Sequence, residues 1–182
     1  MNKDNINKMN VDGWCEEIIW YFPKNDNGEY QIPIALDFDY TCTKKSSWLE
    51  GTWEENPHCF ETLKKWQNMG CVFILNTFRN AEFAKKPVEW LESNGIHVYG
   101  VGKHPIQKIE DGESNKIWSI FNIDDMNVGT FLVCNKNERP YVDWELMDMY
   151  LTPIIEKMRN RIPQIEKDIL ETKKKCASAH QE

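Results

Sequence analysis

The chain has 182 residues, a length that indicates one domain with extensions. Of these residues 41% are hydrophobic and 28% charged, the balance of a soluble globular protein with a proper core. Its net charge of −7 argues against general electrostatic attraction to nucleic acid or to an anionic membrane. The polar N-terminus lacks the apolar core of a signal peptide, no apolar run could cross a bilayer, and the six cysteines form no CxxC pair, so a cytoplasmic protein with reduced thiols is expected.

Residues 1–31 are predicted to form an N-terminal extension. The segment "WCEEIIWYF" fits helical and alternating patterns equally well, and "KNDNGEY" after it is a turn signal. From Ile32 the pattern is clearer, because "IPIAL" is a short apolar run typical of a strand buried on both faces. The next segment predicts a helix with Asn56 as its N-cap, Pro57 at its first position and Gly70 beyond its end.

Further apolar runs predict the remaining elements. "CVFIL", "IHVYGV" and "IWSIFNI" are expected strands, "GTFLVC" is a candidate fifth strand, and "VEWLESNG" is a short helix entered near Pro87 and closed by Gly95. Strands that alternate with helices indicate an α/β fold, with a doubly wound, Rossmann-like parallel sheet in three layers over residues 32–144. Residues 145–182 are predicted to be a helical segment, kinked or divided at Pro163, that packs on the core or mediates oligomerisation.

Polar side chains follow the predicted strands at the points where these strands end. Asp37 and Asp39 follow the first strand, Thr77 the second, and Asp124 and Asp125 the fourth. In an open parallel sheet the carboxyl ends of the strands share one edge, where ligands bind at the reversal of strand order. One acidic strand end means little, but three polar strand ends together predict a site.

Clustered carboxylates repel one another unless a cation neutralises them. Oxygen ligands without His or Cys suit a hard divalent ion, most plausibly Mg²⁺, which favours a phosphate oxygen as a further ligand. Basic residues expected on the loops around this edge are Arg79, Lys103, Lys108 and Lys116. Together these features predict a phosphate pocket.

The order of these motifs resembles the haloacid dehalogenase-like superfamily of Mg²⁺-dependent phosphohydrolases. "DFDYT" after an apolar strand, then "ILNTFR", a lysine and "FNIDD" carry the resemblance, which is closer to small, nearly capless members from bacteria and phages. "VEWLESNGIHVYGVGKHP" and "NKIWSIFNIDD" look like two further segments of those members. The resemblance covers roughly residues 32–144, and any one of its motifs alone would be weak.

The resemblance implies roles for the acidic residues and for Thr77. Asp37 would attack phosphorus and form an aspartyl-phosphate, and Asp39 would act as general acid and then as base. The backbone carbonyl of Asp39 would also contact Mg²⁺, and Asp124 with Asp125 would complete the metal site. Thr77 would donate a hydrogen bond to the phosphoryl oxygens.

The resemblance also implies a lysine that neutralises the nucleophile and the phosphate. Lys116 is chosen because it precedes "FNIDD", while Lys103 and Lys108 remain alternatives. The family's usual glycine after the second aspartate is Tyr40 in this chain, which we interpret as a difference that shapes the substrate site.

Substrate contacts are expected from residues beside these motifs. Phe78 and Arg79 follow Thr77, and Arg79 is either a substrate clamp or a surface ion pair. Trp48 lies in the expected flap between the first strand and the first helix, where it could stack on a nucleobase or anchor the flap.

Two functions from different classes follow from these observations. The first is an Mg²⁺-dependent phosphatase that acts on a small phosphorylated metabolite or a nucleotide. The alternative is a non-hydrolytic phosphate- or nucleotide-binding module, or a regulatory module, on the same fold. The sequence leaves the substrate and the oligomeric state open.

Overall fold

The apolar runs form a four-stranded parallel sheet within residues 10–19, 22–46, 53–106 and 116–179, which are the residues that the computed structural model describes. The strands are β1 (Ile32–Leu36), β2 (Cys71–Leu75), β3 (Val98–Val101) and β4 (Phe121–Ile123). They lie in the order β3-β2-β1-β4, with helices packed against the sheet. The predicted α/β, Rossmann-like architecture is therefore confirmed.

Strand β1 lies inside the sheet, which explains its uninterrupted apolar sequence. It pairs in parallel with β2 from Ile32 to Leu36 and with β4 over its last three residues. Every residue of β1 and β2 is buried, as expected for strands covered on both faces. Successive strands run from β1 to β3 on one side, whereas β4 lies on the other side of β1. The reversal of strand order therefore falls between the carboxyl ends of β1 and β4.

Helix α1 (Val11–Ile18) precedes the sheet, and helix α2 (Cys59–Asn68) connects β1 to β2. The predicted start of α2 was wrong, because the helix begins after His58 and not after Asn56. Asn56 is buried, and its side-chain amide donates to the carbonyls of Thr41 and Val142. Its side chain therefore joins the loop after β1 to a distant strand, β6 (Tyr141–Val142), instead of capping the helix.

Helix α3 (Ala81–Ser93), in contrast, begins earlier than predicted. The Asn80 side chain accepts hydrogen bonds from two backbone N–H groups of the first turn, so it is the N-cap, and Pro87 lies inside the helix. The prediction took the proline as a helix start because proline favours the first helical position. Gly95, with a φ of +82°, follows the end of α3 as predicted.

The candidate fifth strand is not part of the parallel sheet. Strand β5 (Leu132–Val133) pairs antiparallel with β6 (Tyr141–Val142) in a separate two-stranded hairpin. Residues 124–131 are too few for the crossover of about a dozen residues or more that a further parallel strand needs.

Helix α4 (Trp144–Ala179) packs on the rest of the chain and continues through Pro163, so the predicted division there was wrong, while the kink stays a prediction. Ile162 and Ile165 are buried on either side of the proline, and this packing holds both halves of the helix in place. Helix α1 lies against α4 and buries its own apolar face. Oligomerisation through α4 stays a prediction.

None of the helices in the described residues has both the length and the apolar character needed to span a membrane.

Candidate functional site

A pocket of about 310 Å³ opens at the carboxyl ends of β1, β2 and β4. Its position is the crevice that the strand order predicts for a ligand in this class of sheet. The lining residues are Asp37, Asp39, Tyr40, Ser46, Asn76, Thr77, Phe78, Asp124, Asp125, Met126 and Arg139. The polar strand ends thus meet in one pocket.

Three carboxylates in this pocket form a cluster that could hold a metal ion. One oxygen from each of Asp37, Asp124 and Asp125 can be chosen so that all three lie within 4.8 Å of one another. All three residues are half-buried. An all-oxygen donor set of this kind fits a hard divalent cation.

Asp37 is the carboxylate whose charge is most costly in this cluster. Burial raises its pKa to about 7; a backbone hydrogen bond from Phe38 opposes this rise, and the nearby Asp124, Asp39 and Asp125 reinforce it. A bound cation would favour the ionised form, so the electrostatics of the cluster also fit a metal.

The Asp37 side chain is held by a buried residue that the sequence reading assigned no role. The Thr41 hydroxyl lies 3.3 Å from Oδ2 of Asp37, to which it donates a hydrogen bond. The same hydroxyl oxygen accepts a bond of 3.1 Å from the backbone N–H of Asp125. Thr41 therefore connects the loop after β1 to the loop after β4.

Asp39 lines the same pocket but is not one of the three clustered carboxylates, and its own carboxylate is bound by Arg79. Nη2 of Arg79 lies 2.7 Å from Oδ1 of Asp39, and Nε lies 3.1 Å from Oδ2. The Arg79 side chain is only 3% exposed, with its guanidinium 5.4 Å from the centre of the Phe38 ring. Arg79 is thus a buried partner of Asp39 and not a surface ion pair.

Asp125 carries an ion pair of its own with Arg139. Nη2 and Nε of Arg139 both donate to Oδ2 of Asp125, at 2.7 and 3.2 Å. Burial nevertheless raises the pKa of Asp125, against the lowering effect of Arg139. The carboxylate cluster therefore contacts a guanidinium within the pocket.

Arg139 was not predicted from the sequence to lie in the site. It is held there in part by contacts with Tyr40. The guanidinium lies 4.1 Å from the centre of the Tyr40 ring, a cation–π distance. Tyr40 has a φ of +58°, in the left-handed region that favours glycine. Its backbone carbonyl accepts a hydrogen bond of 2.9 Å from Val142 of the hairpin that carries Arg139.

The mouth of the pocket has an apolar side. Phe78 is 97% exposed and Met126 is 70% exposed, and both line the pocket. Thr77 also lines the pocket, and its hydroxyl accepts a hydrogen bond of 3.4 Å from the Arg79 N–H.

The lysines predicted for the site lie elsewhere or are not described. Lys116 and Lys103 are exposed, and within the part of the chain that the structure describes no lysine lines the pocket. Lys108 and Trp48 lie outside the described residues. Arg139 is therefore the cationic side chain that the described residues place in the lining.

No family model matches the chain, and no curated protein matches it significantly. Among solved structures, it is similar to one described as the conserved protein coded by a locus from Bacteroides thetaiotaomicron. The two chains are 28% identical, with a TM-score of 0.53, over 68% of this chain and 91% of the other. That description names no activity, so the comparison supports the fold, and the chemistry rests on the site.

Proposed function

We propose that the protein is a haloacid dehalogenase-like phosphomonoester hydrolase that depends on Mg²⁺ and forms an aspartyl-phosphate. The observation that carries this proposal is the cluster of Asp37, Asp124 and Asp125 at the reversal of strand order, with oxygens within 4.8 Å. The order of the motifs from "DFDYT" to "FNIDD" supports the same family.

Asp37, Asp124 and Asp125 would hold the ion. When bound, Mg²⁺ supplies positive charge that offsets the repulsion between these carboxylates and the substrate phosphate. The Thr41 hydroxyl orients the Asp37 carboxylate through its hydrogen bond to Oδ2.

The reaction has two displacements at phosphorus. In the first, a carboxylate oxygen of Asp37 forms the new bond to phosphorus while the bond to the leaving oxygen breaks, and Asp39 donates a proton to that oxygen. In the second, Asp39 accepts a proton from a water that attacks the aspartyl-phosphate, which releases phosphate and restores Asp37. The Thr77 hydroxyl donates to a phosphoryl oxygen during both steps.

The pocket mouth favours a small substrate with an apolar or flat leaving group. Phe78 and Met126 present apolar surface beside the carboxylates, and stacking on an exposed ring suits an aromatic group or a nucleobase. Nucleotides and aryl or metabolite phosphomonoesters are therefore the substrate classes to test.

One observation favours the second candidate, a non-hydrolytic phosphate-binding module. Both oxygens of Asp39 accept hydrogen bonds from the buried Arg79 guanidinium. A proton destined for a leaving group would have to displace one of these bonds. A pocket in which Asp39 serves only to fix Arg79 could bind phosphate without turning it over.

Hydrolysis of a panel of phosphomonoesters, including nucleoside monophosphates, separates the two candidates. We expect turnover with Mg²⁺, none with EDTA, and a loss of about a thousandfold or more in Asp37→Asn, which lacks the nucleophile. Asp26→Asn is the matched control, because Asp26 is an exposed aspartate in a turn outside the pocket.

Activity that persists in EDTA or in Asp37→Asn would refute the hydrolase proposal. Stabilisation of the wild type by phosphate and Mg²⁺ without turnover on any substrate would support the binding module.

A further inference from the structure

The pocket needs a cationic side chain for a phosphate dianion, and its lining contains one. When ionised, Asp37, Asp124 and Asp125 carry three negative charges, which a divalent ion alone does not balance. Arg139 lines the same pocket and is the neighbour of Asp125. Its charge brings the site to neutrality before the substrate enters, which favours binding of an anion.

The Arg139 guanidinium has more N–H donors than its hydrogen bonds to Asp125 use, so it can bind a further ligand. It has five N–H donors, and its two hydrogen bonds to Asp125 both end on a single carboxylate oxygen, Oδ2. About half of the side chain is exposed, and the residue lines the pocket. A planar fork of this kind can bind two oxygens of a phosphoryl group at once.

Backbone hydrogen bonds and one aromatic ring hold Arg139 in place. The hairpin that carries it is joined to the loop after β1 by the hydrogen bond from the Val142 N–H to the Tyr40 carbonyl. The side-chain amide of the buried Asn56 donates a hydrogen bond to the carbonyl of Val142 in the same hairpin. The ring of Tyr40 then supports the guanidinium at 4.1 Å.

The conformation of Tyr40 indicates that this support has a cost. A tyrosine with a φ of +58° is less stable than a glycine would be there, because its Cβ atom crowds the backbone in the left-handed region. Glycine would fold more easily at this position but would leave Arg139 without a ring beneath it.

We propose that Arg139, positioned by the ring of Tyr40, binds the phosphoryl oxygens of the substrate. It would then neutralise the phosphate, the role that the sequence predicted for a lysine. The proposal rests on the proposed phosphate chemistry of the same pocket, and it assigns a residue of the β5–β6 hairpin to that chemistry. Arg139 contacts the substrate, whereas Tyr40 is a positioning residue.

Calorimetric titration with inorganic phosphate in the presence of Mg²⁺ tests the assignment directly. We expect Arg139→Met to weaken phosphate binding about tenfold or more, because it removes charge-assisted hydrogen bonds, and Arg139→Lys to retain part of the affinity. Arg159→Met is the matched control, since Arg159 is exposed on α4 beside a different pocket at the opposite ends of β1 and β2.

Two variants of Tyr40 separate positioning from folding. Tyr40→Gly suits the left-handed backbone and should melt no lower than the wild type, yet it should weaken phosphate binding about threefold or more through the lost cation–π contact. Tyr40→Phe keeps a ring under the guanidinium and should regain most of the affinity.

The assignment is overturned if Arg139→Met binds phosphate as tightly as the wild type, or if the wild type does not bind phosphate with Mg²⁺. It is also overturned if Lys116→Met weakens binding while Arg139→Met does not. If the wild type binds phosphate through Arg139 but hydrolyses nothing, the hydrolase proposal fails and the assignment of Arg139 stands.

Discussion

Asp37 is positioned by the main chain as well as by its neighbours. Its N–H donates a hydrogen bond of 2.9 Å to the carbonyl of Ile123, which extends the pairing of β1 and β4 by one residue. Its carboxylate accepts a bond from Thr41. Replacement of the carboxylate by an amide leaves the backbone bond intact, so the loss of activity that we expect in Asp37→Asn would report on chemistry and not on the position of the chain.

His104 lies outside the pocket and makes the stability of the fold depend on pH. The residue is fully buried, with its ring 5.4 Å from that of Tyr99, and burial lowers its pKa below the ordinary value of 6.5. Between its lowered pKa in the folded chain and 6.5, the unfolded chain therefore binds more protons at His104 than the folded chain does, and the free energy of unfolding falls as the pH drops through that range.

The expected result is a smaller loss of stability on acidification in His104→Leu than in the wild type. Chemical denaturation at about pH 8 and about pH 5 measures this difference, and the other titrating groups are common to both proteins. The variant is expected to be less stable at both pH values because of altered packing. Parallel pH profiles for the two proteins would contradict the role of His104.

The strand-end carboxylates could be predicted from the sequence, because a buried apolar run followed by an aspartate marks both the element and its end. Arg139 could not be predicted in the same way. It follows no strand of the parallel sheet, and it sits in a polar loop beside other charged residues. Its contact with Tyr40 depends on the docking of the hairpin, for which the local sequence carries no signal.

At the scale of elements, one buried hydrogen bond joins α2 to α4. The indole N–H of Trp66 donates to the hydroxyl of Thr152 at 2.8 Å, and that hydroxyl donates to Asp148 of the same helix. The Trp66 ring is fully buried, so its N–H depends on this acceptor.

Thr152→Val keeps the shape of the side chain and removes the acceptor. We expect it to lower the free energy of unfolding by about 1–3 kcal/mol, the cost of a buried donor without a partner, as measured by urea denaturation. Thr172→Val is the matched control, because Thr172 is exposed on the same helix. Equal effects from the two changes would show that the bond to Trp66 contributes nothing.

The elements themselves were more predictable than their ends. Continuous apolar runs identified β1 and β2, since burial on both faces leaves no alternation. The starts of α2 and α3 were misplaced, because Asn56 and Pro87 have the residue types of helix starts, but Asn56 lies before α2 and Pro87 lies inside α3. Residue type alone does not distinguish a cap from a buried amide that joins a loop to a distant strand.

At the scale of the molecule, the segment before the sheet is part of the packed structure. Helix α1 buries Val11 and Cys15, and Ile19 directly after it is buried too, in the same apolar cluster as the inner face of α4. The sequence pattern of this segment fitted helix and strand equally, and only its contact with α4 distinguishes the two.

Ile19→Ala is expected to destabilise the whole chain by about 2–5 kcal/mol, the cost of a large-to-small change in a core. Trp14→Ala on α1 is the control, because Trp14 is 43% exposed and should matter less. Thermal and urea denaturation would measure both. A smaller effect from Ile19→Ala than from Trp14→Ala would show that α1 does not belong to the folded core.

The loop after β1 is also tied to the first residue of α4. The carbonyl of Thr41 accepts bonds of 2.8 Å from the side chains of Asn56 and Trp144, while the Thr41 hydroxyl holds Asp37. Thr41 therefore connects the first residue of α4, a helix of 36 residues, to the carboxylate of Asp37 in the pocket. A change in the packing of Trp144 would therefore also move the residue that orients Asp37.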